Sequence, residues 1–552
     1  MGRLPRLEEV EKRLSGRIYR IAFDALTLAF FFLIILMPTI YLLTYVLRSW
    51  DEIRFFVFEN PVAGDVRWRR MLGAIGLSFQ VAAIATAIDL LIGIPIALLL
   101  ARYEFRGKRL LDSLIDIPLA VPSSALGFSV YLFWATGDGL GWLSMGFWLI
   151  VLTHVVFTFP YIVRSLVGVI EGVDITYEHA SRTLGAPSFT TFRTVTAPLA
   201  KPGIVAGAIL AFTRSLSETG ATMVVAGTLE TAPLAVVSMH QRRLIGPAAF
   251  LSLILVLTGL LMLVALRVLS ERVGIPIKKV WPGFERRLSG RAQRLARDTG
   301  TLSFFGFFIL IPACFTIPYV VKWWSPPGRA EEGVFYQVFQ APDEKWRTLI
   351  EALMTSFRAA LLATLINLVA GLAMAILVVR RNWGRLNSIL DALTDIPLVI
   401  PTAALGFSVY LFWGPAGLGL VNTGFWLIVL THVAFTYPYV VRTLVAALKG
   451  LDPSLEEAAR TLGAPSLTAF RTVVLPLLSS ALFAASIMAF TRSLSETGAT
   501  IVVMGVDRTV PVQIVVWSEA SPQAAAFASV LLVAICYGLL LALRYVARKR
   551  GD

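Results

Sequence analysis

The stretch Asp452-Pro-Ser-Leu-Glu-Glu-Ala-Ala-Arg-Thr-Leu-Gly-Ala-Pro-Ser466 decides the organisation of this chain, because it occurs twice. The earlier copy is Asp174-Ile-Thr-Tyr-Glu-His-Ala-Ser-Arg-Thr-Leu-Gly-Ala-Pro-Ser188. The leading aspartate is typical of a helix N-cap, and glycine followed by proline is typical of a helix end. We therefore predict two short surface helices, each ended by a sharp turn. We call residues 172–198 the first elbow and residues 450–476 the second elbow.

The composition indicates a protein that crosses a membrane many times. Of the 552 residues, 57% are hydrophobic and only 15% are charged, which is too little charge for a soluble protein of this length. The net charge of +14 does not indicate nucleic-acid binding, since the Lys and Arg residues cluster in loops between apolar runs. The two cysteines lie in apolar runs, and no Cys/His cluster has metal-site spacing. We expect no catalytic site, metal or cofactor in this chain.

Other stretches repeat at nearly the same separation as the elbows. Residues 116–134 return with few changes as 395–413, and residues 211–222 return letter for letter as 489–500. The chain therefore consists of two homologous halves in tandem. We assign residues 1–270 to the first half, 271–300 to a basic cytosolic linker and 301–552 to the second half.

Each half contains six apolar runs of the roughly 20 residues that a membrane-crossing helix needs. In the first half these are 21–47, 72–101, 112–134, 144–170, 199–226 and 246–269. In the second half they are 301–321, 350–379, 390–413, 422–448, 478–505 and 524–547. We predict an all-α polytopic membrane protein of 12 transmembrane helices. It would form two tandem six-helix repeats related by a pseudo-twofold axis along the membrane normal.

The positions of Lys and Arg predict the orientation in the membrane. Arg3, Arg6, Lys12 and Arg13 precede the first run, and Arg548-Lys-Arg550 follow the last. Because short cytosolic loops are rich in Lys and Arg, we expect both termini and both elbows on the cytosolic side of a cell membrane.

Charged residues also occur at membrane depth, and they occur as a repeated pair. Arg214 and Glu218 lie in the fifth run, as do Arg492 and Glu496 in the eleventh. The i,i+4 spacing predicts that each pair shares one helix face, and such charges usually face a wet cavity or a bundle interior. We predict that these pairs line a pathway between the halves, with neutral donors and a kink supplied by Ser217, Thr219, Ser495 and Thr497. The alternative, that each pair only locks helices together, stays open.

A repeated histidine lies mid-span in each half, at His154 and His432. A hydrogen-bonded packing role is favoured over a proton relay, given the cost of burying charge.

The second elbow resembles the cytoplasmic loop of ABC importer permeases. Its Glu457-Ala-Ala459, Gly463, Val473 and Pro476 follow the spacing of that loop. The first elbow keeps the later positions but has His179 and Ser181 in place of Glu and Ala, and Glu178 is the nearest substitute carboxylate. The resemblance implies that each elbow is a coupling helix that docks on an ATPase subunit. The residues implied are Glu178, His179, Ala180, Gly185, Ala186, Glu456, Glu457, Ala458, Ala459, Gly463 and Ala464.

The stretch Arg-Ser-Leu-Ser-Glu-Thr-Gly-Ala-Thr, at 214–222 and 492–500, resembles a segment of the molybdate, tungstate and sulfate permeases. The resemblance implies a fused importer permease for an oxyanion. It also implies two copies of an ABC ATPase, which would hold ATP and Mg, and an extracytoplasmic solute-binding protein. The sequence has no phosphate-binding Gly-x4-Gly-Lys-[Ser/Thr] loop, so ATP hydrolysis would belong to the partner. Importers of ferric iron, thiamine or another small solute are alternatives, and a 12-helix secondary transporter is a more distant one.

Overall fold

The protein is described here from a computed structural model, which covers residues 16–61, 64–272 and 281–549. Within these ranges the chain forms helices joined by turns and loops, and no residue of them is in a β-strand. The predicted all-α architecture is confirmed. The basic residues Arg3 to Arg13, residues 273–280 of the predicted linker, and Arg550 lie outside the described ranges.

The described residues of the first half form fourteen helices. They are α1 (Arg17–Phe30), α2 (Met37–Arg48), α3 (Trp50–Arg54), α4 (Gly64–Arg102), α5 (Lys108–Ile115), α6 (Ile117–Ala120), α7 (Ser123–Ala135), α8 (Phe147–Gly172), α9 (Ile175–Thr183), α10 (Ser188–Thr191), α11 (Ala197–Ser217), α12 (Gly220–Val225), α13 (Ala232–Gln241) and α14 (Ile245–Arg272). π-Helical turns occupy Phe31–Leu36, Phe55–Glu59 and Phe192–Thr196.

The remaining helices follow the same order. They are α15 (Pro282–Leu288), α16 (Arg291–Phe304), α17 (Ile311–Cys314), α18 (Thr316–Lys322), α19 (Lys345–Arg380), α20 (Arg385–Leu393), α21 (Ile396–Val399), α22 (Thr402–Trp413), α23 (Phe425–Gly450), α24 (Pro453–Thr461), α25 (Ser466–Ala469), α26 (Leu475–Leu477), α27 (Ser479–Leu494), α28 (Gly498–Val503), α29 (Val510–Ala520) and α30 (Pro522–Lys549). π-Helical turns occupy Phe305–Leu310, Tyr336–Gln340 and Phe470–Val474, and a 3₁₀ turn occupies Ala330–Glu332.

Many of these helices have the length and composition of membrane spans. Among the described residues, 7 helices are long and apolar enough to cross a membrane, and the number rises to 11 if each bent pair is one span. The predicted multi-pass membrane protein is confirmed in this coarser form. The count of 12 spans stays a prediction.

Two predicted spans, 112–134 and 390–413, are not continuous helices. Lys108–Leu119 meets Ser123–Ala135 at 106°, and Arg385–Val399 meets Thr402–Trp413 at the same angle. The cause in the first half is Pro122, which has no N–H to donate and forces an extended backbone on Val121 (φ −81°, ψ 127°). Pro401 does the same to Ile400 in the second half. The apolar runs are correct, but the prediction of one helix per run is wrong here.

Three further runs are also interrupted. In 199–226, α11 ends at Ser217 and α12 begins at Gly220. In 478–505, α27 ends at Leu494 and α28 begins at Gly498, the equivalent break. In 301–321 the helix bends by 51° between Arg291–Cys314 and Thr316–Lys322. The apolar runs did not locate these breaks, although the kink predicted at Thr219 and Thr497 falls at the first two of them.

The helix contacts divide the chain into two compact units that do not follow the order of the sequence. The first-half unit contains Asp51–Leu349 and Pro511–Val533, and therefore includes α16, which begins within the linker, and α17 and α18 from the second half. In it Trp134 of α7 stacks on Phe308 with ring centroids 5.3 Å apart. Ser129 of α7 accepts a 3.1 Å hydrogen bond from the backbone N–H of Thr316.

The second-half unit contains Ile350–Val510 together with α1 and α2 from the start of the chain. Phe31 is fully buried and stacks on Tyr437 of α23 with centroids 5.9 Å apart. Asp24 of α1 accepts a 2.9 Å hydrogen bond from Arg381. Each unit therefore takes its first long helix from the other half of the sequence, an exchange that the repeat pattern does not indicate.

A glycine allows each bent segment to approach the helix that restarts after the break. A Cβ on Gly127 of α7 would lie 2.6 Å from Cα of Ala221 in α12. A Cβ on Gly406 of α22 would lie 2.7 Å from Cα of Ala499 in α28. Both distances are shorter than two carbon atoms tolerate, so only glycine fits.

We predict that Gly127→Ala and Gly406→Ala each destabilise the folded protein by about 1–3 kcal/mol, since backbone must move to admit the methyl group. The measurement is the melting temperature of the purified protein in detergent. Gly73→Ala is the matched control, because a Cβ there meets no atom within 4 Å. Equal melting temperatures for all three variants would contradict the close approach.

Candidate functional site

Both elbows have the predicted helix–turn form. Asp174 accepts a 2.9 Å hydrogen bond from the N–H of Thr176 at the start of α9, and Asp452 accepts one of 2.9 Å from Ser454 at the start of α24. Gly185 and Gly463 then turn the chain with φ of 86° and 92°. The predicted aspartate caps and glycine ends are confirmed.

The capping bonds also affect the acidity of the two aspartates. The bond from the backbone N–H lowers the pKa of Asp174 and that of Asp452 below the ordinary aspartate value. A lowered pKa in the folded state means that the stabilisation is complete above the ordinary pKa and is lost as the pH falls through the lowered one. Both caps are therefore intact at neutral pH.

Each elbow exposes an apolar residue at its turn. Leu184 is 88% exposed and Leu462 is 89% exposed. Exposed residues on the helices before these turns are His179, Ala180, Glu457 and Ala458, whereas Ala459 is partly covered. Just after the turns, Ala186 and Ala464 are also partly covered. An apolar side chain held on a rigid turn and framed by small residues is suited to insertion into a groove of another protein.

The carboxylates of Glu178 and Glu456 point back into the protein instead. Glu178 is buried and accepts a 2.9 Å hydrogen bond from Arg102 at the end of α4. Glu456 lies 3.6 Å from Arg380 at the end of α19, and both side chains are more exposed. These pairs hold each elbow helix against a membrane helix. The idea that Glu178 supplies an outward acidic contact in place of His179 is therefore wrong.

The predicted linker contacts the first elbow. Glu285 of α15 is buried, accepts a 2.6 Å hydrogen bond from Thr190 and lies 3.0 Å from Arg193. The hydroxyl of Ser289 accepts a 2.9 Å hydrogen bond from the N–H of Phe189. The hydrogen bond from Thr190, together with the charge of Arg193, lowers the pKa of Glu285. Sequence analysis had assigned the linker only a basic charge.

The intramembrane pair in the first half forms at the helix break. Arg214 lies in the last turn of α11, whereas Glu218 follows the helix in an extended conformation (ψ 131°). The two side chains are 3.2 Å apart, and the second oxygen of Glu218 accepts a 3.0 Å hydrogen bond from the N–H of Ala221. The prediction that both residues share one helix face is wrong, although the ion pair itself forms. Glu218 also caps α12.

The pair in the second half has the same geometry. Arg492 and Glu496 are 3.2 Å apart, and Glu496 accepts a 3.0 Å hydrogen bond from Ala499. The carboxylates are almost fully buried, at 2% and 4% exposure, but the arginines keep 15% and 16%. The glutamates orient the arginines, and the arginines retain an accessible edge.

Aromatic rings complete the surroundings of the arginines. The guanidinium of Arg214 lies 4.3 Å from the ring centre of Phe157, and that of Arg492 lies 4.5 Å from Phe435. A ring face stabilises a cation without neutralising it. Sequence analysis missed both rings, because a phenylalanine in an apolar run looks like an ordinary core residue.

The neighbouring polar residues turn toward the protein. Ser217 contacts Arg214 at 3.4 Å and Ser495 contacts Arg492 at 3.3 Å. Thr219 and Thr497 are buried at 1% exposure. The structure thus brings the serines to the arginines but does not place the threonines at an accessible surface.

The two histidines connect the helices on either side of each break. His154 contacts Ser215 of α11 at 2.7 Å and Thr222 of α12 at 2.9 Å. His432 contacts Ser493 at 2.6 Å and Thr500 at 2.9 Å. The predicted hydrogen-bonded packing role is confirmed. Each histidine holds together the two helix ends on either side of its break.

Comparison with known proteins decides the family. The model of the "Binding-protein-dependent transport system inner membrane component" family matches the chain twice, over residues 93–275 and 347–551. The chain belongs to this family. The two matches fall in the two sequence repeats, and each includes one elbow and one intramembrane Arg–Glu pair.

Named relatives of this permease each align with about a third of it. The "Molybdenum transport system permease protein ModB" of Escherichia coli K12 is 37% identical over 190 residues, 32% of this chain and 81% of the relative. The "Sulfate transport system permease protein CysT" of Salmonella typhimurium is 44% identical over 167 residues, 28% of this chain and 60% of the relative. The "Molybdate/tungstate transport system permease protein WtpB" of Methanocaldococcus jannaschii is 31% identical over 214 residues, 38% of this chain and 79% of the relative.

The ion pairs that hold the two elbow helices, Glu178–Arg102 and Glu456–Arg380, differ in burial. We therefore expect the two elbow helices of this permease to unfold locally to different extents. Removing the acid from a buried pair loses a charged hydrogen bond of about 1.5–3 kcal/mol, whereas an exposed pair contributes about 0–1 kcal/mol. We predict that Glu178→Ala accelerates amide hydrogen exchange in α9 by roughly tenfold or more. The same change at Glu456 should accelerate exchange in α24 by less.

Hydrogen exchange of the full-length permease in detergent, followed by mass spectrometry, measures both effects. Glu457→Ala is the control, because Glu457 is exposed and makes no ion pair within the described ranges. Equal acceleration by the changes at Glu178 and Glu456 would show that the Glu178–Arg102 pair stabilises its elbow helix no more than the Glu456–Arg380 pair does.

Proposed function

We propose that this permease is the transmembrane subunit of an ATP-driven importer and that it supplies both halves of the translocation pathway. The observation that carries the proposal is the pair of capped elbows, each with an exposed leucine at a glycine turn. Such rigid apolar protrusions suit docking on two copies of an ATPase subunit. The ATPase would bind ATP and Mg, and an extracytoplasmic binding protein would deliver the solute.

The family and the two repeats support the following proposed arrangement in the membrane. It has 12 spans in two six-helix repeats about a pseudo-twofold axis, with both termini and both elbows in the cytosol. Movement of the elbows by the ATPase would be transmitted through Glu178–Arg102 and Glu456–Arg380 to the ends of α4 and α19. This provides a mechanical route for alternating access.

We propose that the solute is an oxyanion such as molybdate, tungstate or sulfate. Three relatives carry molybdenum, sulfate or molybdate/tungstate transport in their names. Arg214 and Arg492 support the proposal, since each keeps an accessible edge and is held by a buried glutamate. A guanidinium presents several N–H donors in one plane, which suits recognition of an oxyanion.

The substrate is tested by ATPase stimulation of the reconstituted complex of this chain, its ATPase and its binding protein. We expect stimulation by molybdate, tungstate or sulfate, and none by ferric iron or thiamine. Vesicles that contain this chain alone should show no uptake, because the energy comes from the partner. Stimulation by iron or thiamine but by no oxyanion would reject the substrate, and uptake by the chain alone would reject the ATP-driven class.

The docking role of the elbows is tested by Gly185→Val and Gly463→Val. A branched residue at positive φ is strained by about 1–2 kcal/mol or more, which deforms the turn that presents Leu184 or Leu462. We predict a loss of solute-stimulated ATPase activity of about fivefold or more for each change. Gly172→Val and Gly450→Val are matched controls, since each glycine is the first residue of its elbow, has no positive φ and has open space around the Cβ position.

A further inference from the structure

Asp89 lies within the long helix α4 and is fully buried. The nearest ionisable residues on this helix, Arg70 and Arg102, are about 20 Å or more away along its axis. Oδ2 of Asp89 lies 2.5 Å from the hydroxyl oxygen of Thr158 in α8, and Oδ1 has no hydrogen-bond partner among the described residues. Asp89 also forms no ion pair within the described ranges. An ionised carboxylate here would be a buried charge without a counter-ion, which is very costly.

The hydroxyl group of Thr158 has a single hydrogen, but two oxygen atoms lie within its reach. One is Oδ2 of Asp89, and the other is the backbone carbonyl oxygen of His154, at 2.7 Å. Threonine side chains inside helices form this second bond, as Thr153 does to the carbonyl of Leu149. When Thr158 donates to His154, its oxygen can only accept from Asp89. The hydrogen of that bond then belongs to a protonated carboxyl group.

The second half of the chain contains the same contact with an unambiguous donor. Asn367 occupies the repeat position of Asp89, and Thr436 that of Thr158. Nδ2 of Asn367 donates a 2.8 Å hydrogen bond to the hydroxyl of Thr436, which donates in turn to the carbonyl one turn earlier. The orientation of the amide is fixed, because Nδ2 also donates to the backbone carbonyl of Val433 at 3.0 Å. Oδ2 of Asp89 takes the place of this donor nitrogen.

The ionisable groups on the helices packed against α4 do not compensate a charge on Asp89. Arg214 of α11 stacks on Phe157, next to Thr158 in the sequence, but pairs with Glu218. His154 of α8 contacts two hydroxyl groups instead. Within the described ranges, Asp89 has no hydrogen bond or ion pair with the other ionisable groups facing it from α8, α13 and α16, which are Tyr161, Arg164, His240 and Asp298.

We propose that Asp89 is a proton-binding site. While α4 and α8 are packed, its carboxyl group holds a proton on Oδ2 and donates it in a hydrogen bond to Thr158. Separation of the two helices that admitted water would release this proton to a water molecule and leave the carboxylate. The packed arrangement therefore holds one proton more than the hydrated one, and a fall in pH favours it. The site depends neither on the solute nor on the ATPase.

Infrared spectroscopy of the full-length chain in detergent at neutral pH detects the proton directly. We expect the spectrum of the wild type minus that of Asp89→Asn to contain the carbonyl stretch of a protonated carboxylic acid, above the amide I band. Thr158→Val should keep this band but shift it to higher frequency, because the O–H group loses its acceptor. Asp65→Asn is the control and should remove no such band, since Asp65 is exposed and pairs with Arg69. A carboxylate stretch for Asp89, or an unshifted band in Thr158→Val, would overturn the proposal.

The second half supplies the reciprocal variant. Asn367→Asp should add a second acid band, because Thr436 offers the same hydroxyl group there. Asp89→Asn should fold, since asparagine already fills the equivalent position. The absence of an acid band from Asn367→Asp would show that this contact does not hold a proton and would reject the site.

Unfolding by sodium dodecyl sulfate in mixed micelles measures how the proton is linked to packing. The folded state holds the proton and the unfolded state releases it, so stability should fall as the pH rises above the ordinary aspartate range. The unfolding equilibrium constant of the wild type, relative to that of Asp89→Asn, should rise about tenfold per pH unit. The same pH dependence in both proteins would show that Asp89 holds no proton in the folded state.

Discussion

The carboxylate of Glu218 satisfies two groups that a helix break inside a membrane would otherwise leave without partners. It receives the N–H of Ala221 and faces the guanidinium of Arg214. No water is available at the centre of a bilayer to do this, so an interrupted helix depends on such an internal partner. His154 then joins the two helix ends through Ser215 and Thr222. Because α12 is held in this way, α7 can pack against it at Gly127. The same network in the second half positions α28, α22 and Arg492.

The elbows depend on a similar use of carboxylates, but at the surface of the membrane region. Asp174 and Asp452 start the elbow helices, and Glu178 and Glu456 hold them to the ends of α4 and α19. The ion pair of the first elbow is the more buried of the two, and Glu285 also contacts this elbow. A partner that docks on both elbows would therefore meet helices held by ion pairs of different burial and different sequence. His179 and Glu457, at equivalent positions, face outward in both.

In the folded protein, the two halves of the tandem repeat exchange their first long helices. Each compact unit is completed by a long helix from the other half, through contacts such as Phe31–Tyr437 and Trp134–Phe308. Neither unit contains only one half of the sequence. Contacts between residues distant in the sequence therefore hold each unit together.

The sequence by itself determined the helical class, the tandem repeat, the membrane location, the capped elbows and the ion pairs at membrane depth. These follow from local signals: apolar runs, an aspartate before a helix, a glycine at its end, and charges four residues apart. Only the tertiary structure decided that Glu178 turns inward to Arg102, that Glu218 lies in a break and that Phe157 covers Arg214. It also decided that α1 packs in the second-half unit and α16 in the first-half unit. Each of these depends on partners distant in the sequence. A pattern of neighbouring residues does not encode which distant apolar or charged side chain will pack against a given residue.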